Sequence, residues 1–349
     1  MTFRYLPRRR DIDHMAYQIW NRRYTGSKYK LAPWISGLIA ENCSGNSFCD
    51  IFAGTAVMSK QMIERADTVY INDFLFSNEV IYRAFFEQQA FDSAKLGEIK
   101  NYFRGLDASS LRANYVSESF GGKFFSENDA LMIGFIREYL DNEADLNTKE
   151  KNILLASLLY SADKAANTVG HYDAYIKGKE IPDTFSFDLI APCRCDGKDI
   201  RISRKDANQL AKEIRCDVVY IDPPYNSRQY SRFYHVLENI TTWRKPKLYG
   251  EARKPQAENM SEYCRSAAPK AFEELILSLD CRYIVVSYNN TYNSKSSSSK
   301  NKITLEEIRA VLEKKGSVKC FETSHPFFNA GKTSLDDHKE LIFIAKVGE

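Results

Sequence analysis

The chain has 349 residues, 44% of them hydrophobic and 27% charged, with a formal net charge of +3. Such values exclude a disordered, collagen-like or disulfide-scaffold protein and suit one large domain or a core with an insertion. The longest apolar stretches, 153–160 and 341–345, fall far short of the roughly 20 residues that a bilayer crossing needs, and Arg8-Arg9-Arg10 is followed by Asp11 and Asp13 rather than a signal core; a cytoplasmic protein with no membrane contact is expected.

In chain order, the first predicted element is a helix over 30–41, where Leu31, Trp34, Ile35, Leu38 and Ile39 recur at helical spacing and Asn42 and Gly45 supply a stop. Residues 47–52 read as a short apolar strand that ends in Ala53-Gly54-Thr55-Ala56 and feeds a helix over 57–65. A second β-branched strand, 68–73, ends in an acid, which completes a βαβ unit. From residue 74 to about 199 the clear patterns are helical, over 77–89, 127–140 and 148–167, so a largely helical insertion is expected. Strand-like runs return at 216–222, 283–288 and 341–345, with helices at 267–278 and 304–315 and a polar low-complexity loop at 293–300. The alternation predicts an α/β fold: a mixed sheet with helices on both faces, built from residues 1–73 and 200–349 and interrupted by 74–199.

The eight cysteines show no paired CxxC spacing, Cys193-Arg194-Cys195 being the nearest approach, so they read as reduced thiols and no metal site is assigned. The small net charge is a sum of unlike parts. Residues 1–30 carry eight Lys/Arg against two acids, 74–199 carry 14 against 20, and 226–302 carry 13 against seven. Two basic regions of about +6 flank an acidic middle of about −6, a distribution that allows a polyanionic partner without requiring one.

Two constellations carry chemistry. The turn from Asp50 through Phe52 and Gly54 to Ala56 lies between a strand and a helix, where a small residue lets a ligand approach the backbone, and Asp73 ends the next strand, where an acid can accept from ribose hydroxyls. By itself this pair fits plain turn geometry as well as a site for NAD, FAD or S-adenosylmethionine. The run Val218 to Asp222, followed by Pro223, Pro224 and Tyr225, says more. An apolar strand delivers a carboxylate, two prolines fix the backbone that follows, and an aromatic ring stands beside the acid. Such a strip can grip an exocyclic amino group, with Asp222 and the Pro223 carbonyl accepting its two N–H bonds while Tyr225 stacks on the base.

At these residues the sequence resembles the Dam-like, D12 class (α group) of adenine-N6 DNA methyltransferases, over most of the chain and with the motifs in the family's order. Tyr24 to Lys28 is similar to the N-terminal cofactor loop, with Gly26 in its turn and Lys28 near the methionine carboxylate. Residues 48–56 are similar to the Phe-x-Gly-x-Gly cofactor turn, Asn72-Asp73 to the ribose-binding acid, and Lys205-Asp206-Ala207 to the segment that meets the cofactor adenine. Asp222 to Tyr225 matches the catalytic Asp-Pro-Pro-Tyr motif, and 230–240 and 285–290 resemble the target-pocket segments. The chain departs from the family pattern at Tyr24, at Ser27 and at Ala56, which stands where a second glycine is usual.

The resemblance implies a Rossmann-like S-adenosylmethionine-dependent methyltransferase core, target recognition by the insertion, and methylation of N6 of adenine flipped out of double-stranded DNA, in a restriction-modification or orphan role. It also implies a monomer or weak dimer and allows a cognate restriction endonuclease. Phosphate contacts are expected from Arg4, Arg8, Arg9, Arg10, Arg22 and Arg23, and from Arg228, Arg232, Arg244, Lys245 and Lys247. Within the insertion Arg104, Arg112, Lys123, Asn167 and Lys177 are donors for base edges or ordinary solvated helix residues. Methylation of cytosine N4 or of RNA adenine, and a silent nucleic-acid-binding module, are the alternatives. His235 and Glu238 share a helix face, but the chemistry calls for no acid–base pair there.

Overall fold

A computed structural model describes residues 17–143, 145–290, 300–324 and 339–348. Helix α1 (Ala32–Asn42) opens with Pro33 in its first turn, where the missing N–H is no loss, and buries Ile35, Leu38 and Ile39. Strand β1 (Ser47–Asp50) leads through the glycine turn into α2 (Val57–Ile63), and β2 (Thr68–Asn72) pairs parallel with β1. Five helices follow: α3 (Phe76–Phe86), α4 (Ser93–Arg104), α5 (Tyr115–Phe120), α6 (Glu127–Asn142) and α7 (Thr148–Ala165). The remaining elements are β3 (Asp199–Ser203), α8 (Ala207–Leu210), β4 (Arg215–Ile221), α9 (Tyr230–Phe233), α10 (His235–Thr242), α11 (Ala268–Ser278), β5 (Asp280–Asn289), α12 (Leu305–Glu313), β6 (Gly316–Ser324) and β7 (Lys339–Val347).

The seven strands form one sheet in the order β3-β2-β1-β4-β5-β7-β6. The first five are parallel, and β7 runs antiparallel to both its neighbours. From β1 the order proceeds to β2 and β3 on one side and to β4 and β5 on the other. The strand order therefore reverses between β1 and β4, and ligand crevices of open α/β sheets form at the carboxyl ends of the strands at such a point. The glycine turn follows β1 and Asp222 follows β4, so the topology brings the two constellations to one end of the sheet.

The middle stretches of the central strands are apolar because both their faces are covered. Cys49, Val219, Ile221, Ile284 and Val286 join one core with Leu210, Phe272, Leu275, Ile276, Ile308 and Leu312 of α8, α11 and α12. Phe48, Val218, Tyr220 and Val285, at the alternate positions, are buried as well. Each Val or Ile so enclosed contributes about 1.5–3 kcal/mol. Strands β3 and β6 were not expected. Both are edge strands with one neighbour, and β3 (Asp-Ile-Arg-Ile-Ser) is half exposed, so neither shows the apolar run of a central strand.

By its contacts the chain separates into two compact units. One contains the whole sheet, with Gly26–Glu79, Asp196–Tyr234 and the residues from Ala257 on. The other is helical and contains the described residues up to Thr25, Val80–Cys195 and His235–Gln256. The helical unit thus holds 80–195 of the expected 74–199 and gains segments before and after it, and two arginines tie those segments in. Arg23 donates to the carbonyls of Asp163, Ala166 and Thr168, capping the end of α7. Arg137 of α6 donates to Ile240 O at 2.7 Å and Thr241 O at 3.4 Å, the last carbonyls of α10. Among the described residues no helix is long and apolar enough to cross a membrane.

Candidate active site

The turn after β1 is held by three polar side chains. Asp50 is 1% exposed, and its Oδ2 accepts from the Ser59 amide at 3.1 Å and the Ser59 hydroxyl at 2.7 Å, tying the end of β1 to the first turns of α2. Burial pushes its carboxyl up to about 7 against the pull of the Ser59 bonds, and the negative charges of Asp222 and Asp73 add to the rise. Asp50 was expected at the cofactor; the structure uses it beneath the turn, as a brace. Gly54 and Ala56 both take left-handed backbone, at φ +53° and +55°. Ala56 thus keeps the conformation that glycine adopts without strain, which preserves the turn and adds one methyl to it.

Asp73, just past β2, accepts from Gly54 N at 2.9 Å through Oδ2, and from Phe74 N at 2.8 Å and Leu75 N at 3.0 Å through Oδ1. Its burial raises its pKa, while these amides and Asn78 oppose the rise. Asn72, one residue earlier and fully buried, is the joint of this end of the sheet. Its amide nitrogen donates to Ile51 O and Lys205 O, both at 3.0 Å, and its oxygen accepts from Ser203 Oγ at 2.8 Å and Lys205 N at 3.0 Å. The residues after β1, β2 and β3 are therefore fixed to one another through a single side chain. Asp206 caps α8, accepting from Asn208 N at 2.9 Å and Gln209 N at 3.2 Å. Phe52 meets the Tyr263 ring edge-on at 5.0 Å, and the Tyr263 hydroxyl donates to Asn208 Oδ1 at 2.7 Å, so the turn and the α8 segment share one aromatic contact.

The strip after β4 holds the densest charge. Lys28 is 5% exposed, and its ammonium lies 3.1 Å from Asp222 Oδ1, 3.8 Å from Glu340 Oε2 and 2.5 Å from the Tyr225 hydroxyl. Tyr225 also donates to Asp222 Oδ1. Burial raises the pKa of Asp222 and Glu340 adds to that, while Lys28 and the Tyr225 hydroxyl lower it. For Lys28, burial favours the neutral amine, yet Asp222 and Glu340 together hold the group above its ordinary value. The Tyr225 ring meets Tyr288 of β5 edge-on at 4.7 Å, and the Tyr225 carbonyl accepts from Lys302 N at 2.8 Å. Pro223 is buried and Pro224 partly so. Gly26, at φ +82°, passes so close to Tyr230 that a Cβ there would lie 3.2 Å from its hydroxyl, and Ser27 Oγ lies 3.4 Å from Thr55 Oγ1 of the turn. Lys28 was expected near the methionine end of a cofactor; the structure seats it against the Asp-Pro-Pro-Tyr strip.

The cations expected on phosphates divide sharply. Arg8, Arg9 and Arg10, with Arg4, lie outside the described residues. Arg22 is buried over the Tyr24 ring at 5.2 Å, and Arg23 is committed to α7, so the expectation that this pair meets phosphates is corrected: both serve inside the helical unit. Arg228 lies over the Phe233 ring at 5.7 Å, and Arg232 is half-buried in α9. Arg244, Lys245 and Lys247 are exposed; Lys245 lies 3.1 Å from Glu138 and 4.8 Å from the Trp243 ring, and Lys247 5.7 Å from the Tyr249 ring. Of the donors assigned to base edges, Arg104 is tied to Phe187 O and Asp188, and Asn167 to Lys123 O and Ile176 O. His235 is buried with Nε2 2.8 Å from Ala252 O and its ring edge-on to Phe120 and Phe124, a packed histidine rather than an acid–base partner. The sequence reading missed Glu340 altogether, although an acid entering the apolar run 341–345 was the available signal.

Comparison with known proteins bears on this site. The model of the family described as D12 class N6 adenine-specific DNA methyltransferase matches residues 24–301. Type II methyltransferase M.NlaIII of Neisseria lactamica is 30% identical over 335 residues, covering 90% of this chain and 95% of that one. Type II methyltransferase M.CviAII of Paramecium bursaria Chlorella virus 1 is 29% identical, over 93% and 98%. Modification methylase LlaI of Lactococcus lactis subsp. lactis is 32% identical over 77% of this chain, which spans 46% of that longer protein. Matched by one family over most of its length and by a relative of like size at 30% identity, the chain belongs to the D12 class of N6 adenine-specific DNA methyltransferases.

Proposed function

We propose that the protein transfers a methyl group from S-adenosylmethionine to N6 of an adenine flipped out of double-stranded DNA, with Asp222 as the acceptor that holds the amine. The observation that carries this reading is the way Asp222 is held. Both of its bonds among the described residues, from Lys28 and Tyr225, fall on Oδ1, and the side chain keeps 16% exposure. Oδ2 is then the oxygen turned to a substrate. The target amine is a poor nucleophile because its lone pair is delocalised into the ring. With one N–H on Asp222 and the other on the Pro223 carbonyl, the nitrogen is drawn toward tetrahedral geometry, and its lone pair is aimed at the donor.

The residues present suit the cofactor. The left-handed backbone at Gly54 suits a turn that a ligand approaches closely, and Asp73, just past β2, would accept from ribose hydroxyls. When bound, S-adenosylmethionine supplies an electrophilic methyl group. Phe52 and the segment led by Asp206 would flank its adenine, and Gly26 and Ser27 would cover it. Tyr225 would stack on the flipped base. The helical unit would recognise the target, and Arg244, Lys245 and Lys247 would hold phosphates. Relatives carry the names of modification methylases and Type II methyltransferases, which supports a modification role for this chain.

The test is incubation of the protein with labelled S-adenosylmethionine and unmethylated duplex DNA, followed by nucleoside analysis. Label is expected in N6-methyladenine, and Asp222→Ala is expected to lower kcat by about 10²–10³-fold while cofactor affinity changes only a few-fold. Label confined to N4-methylcytosine, or obtained only from RNA, would overturn the reading.

A further inference from the structure

One buried carboxylate beside the Asp-Pro-Pro-Tyr strip has no part in the reaction as described so far. Glu340 stands at the start of β7, 6% exposed, opposite Asn289 of β5 and Thr323 of β6. Because β7 is antiparallel to β5, its first residues fall at the carboxyl end of the parallel strands, beside the residue that follows β4. The register thus brings an acid from one of the chain's last elements to a lysine from one of its first.

The Lys28 ammonium meets Asp222 Oδ1 at 3.1 Å and the Tyr225 hydroxyl at 2.5 Å, and Glu340 Oε2 lies 3.8 Å away, within ion-pair range but beyond a hydrogen bond. Two carboxylates lie against one ammonium, so Lys28 by itself balances only one of them. If Asp222 were the only partner of Lys28, the pair would be neutral and Asp222 a weak acceptor for an amine that is gaining positive charge. A second carboxylate on the same ammonium restores that acceptor strength.

We propose that Glu340 is a positioning residue for methyl transfer, sharing the Lys28 ammonium so that Asp222 keeps negative charge for the target amine. The inference rests on the reading of Asp222 as the amine acceptor. The groups that face Asp222 are Lys28, Glu340, Asp50, Tyr220, Tyr225 and Tyr230. The three tyrosines are all held well above their ordinary range by burial and do not ionise near neutrality.

The experiment compares the pH dependence of kcat for the wild type, Glu340→Gln, Glu340→Asp and Asp222→Asn, on duplex DNA with saturating S-adenosylmethionine. Glu340 raises the pKa of Asp222, so its loss lets Asp222 ionise at lower pH. In Glu340→Gln the acid limb moves down in pH, and kcat at its plateau falls on the order of tenfold, with cofactor affinity little changed. Glu340→Asp retains the charge and keeps the acid limb of the wild type. A limb that stays in place in Glu340→Gln, or one that moves in Glu340→Asp, overturns the proposal. Retention of full activity and the wild-type limb by Asp222→Asn would instead overturn the reading of Asp222 itself.

Discussion

Asp50 shows how far one buried side chain can set the behaviour of the molecule. Its folded-state pKa of about 7 stands above the ordinary 3.8, so the folded chain holds a proton that the unfolded chain has already released. Its contribution is intact below about pH 4 and is lost progressively as the pH rises toward 7, by at most about 4 kcal/mol. Asp50→Asn, which keeps an oxygen for Ser59, is therefore expected to flatten the dependence of melting temperature on pH across this window; equal slopes for variant and wild type would count against a raised pKa. At this scale the sequence was read unevenly. Asp222, Tyr225, Gly54 and Asp73 were legible because strand ends and turns mark them. The roles of Asn72 and Glu340 were not, because Asn72 joins partners at the ends of β1 and β3 and Glu340 reaches Lys28 only through the register of β7. Arg22 and Arg23 show that charge alone does not tell an arginine that covers an aromatic ring or caps a helix from a solvent-facing one.

Among the elements, helix α12 has the clearest local cause. Thr304 accepts from Glu307 N at 3.1 Å, and Glu307 accepts from Thr304 N at 2.7 Å, a reciprocal cap on an exposed first turn. Two residues earlier Lys302 N holds the Tyr225 carbonyl. Thr304→Ala is expected to cost about 0.5–2 kcal/mol in unfolding experiments and Thr304→Ser to recover most of it; equal losses in both would show that the cap contributes nothing. Most of the longer helices and the five central strands were readable because each buries a continuous face. Helix α4, which buries only Leu96, Ile99 and Phe103, was missed, as were the short helices α5, α8 and α9 and the edge strands β3 and β6, which have too few residues, or too little burial, to make a pattern.

For the whole molecule, the near-neutral charge hides its division into basic ends and an acidic middle. With Arg22 and Arg23 engaged internally, the N-terminal run Arg8-Arg9-Arg10 becomes the main candidate for phosphate binding outside the 226–302 region. Reversing those three charges is expected to weaken DNA binding and to lower the slope of log affinity against log salt by about 2–3, measured by titration at several ionic strengths. An unchanged slope would assign the run to solvent. The α/β class was legible in the alternation of patterns, whereas the joining of 235–256 to the helical unit depends on contacts such as Arg137 with Ile240 that no local pattern announces. The placement of β7 between β5 and β6 also has a bearing on biosynthesis. A ribosome makes Lys28 early and Glu340 more than three hundred residues later, so a nascent or prematurely terminated chain has an open sheet edge at β5 and an unfinished charge cluster. A chain that stops short of β7 is then expected to lack the proposed activity.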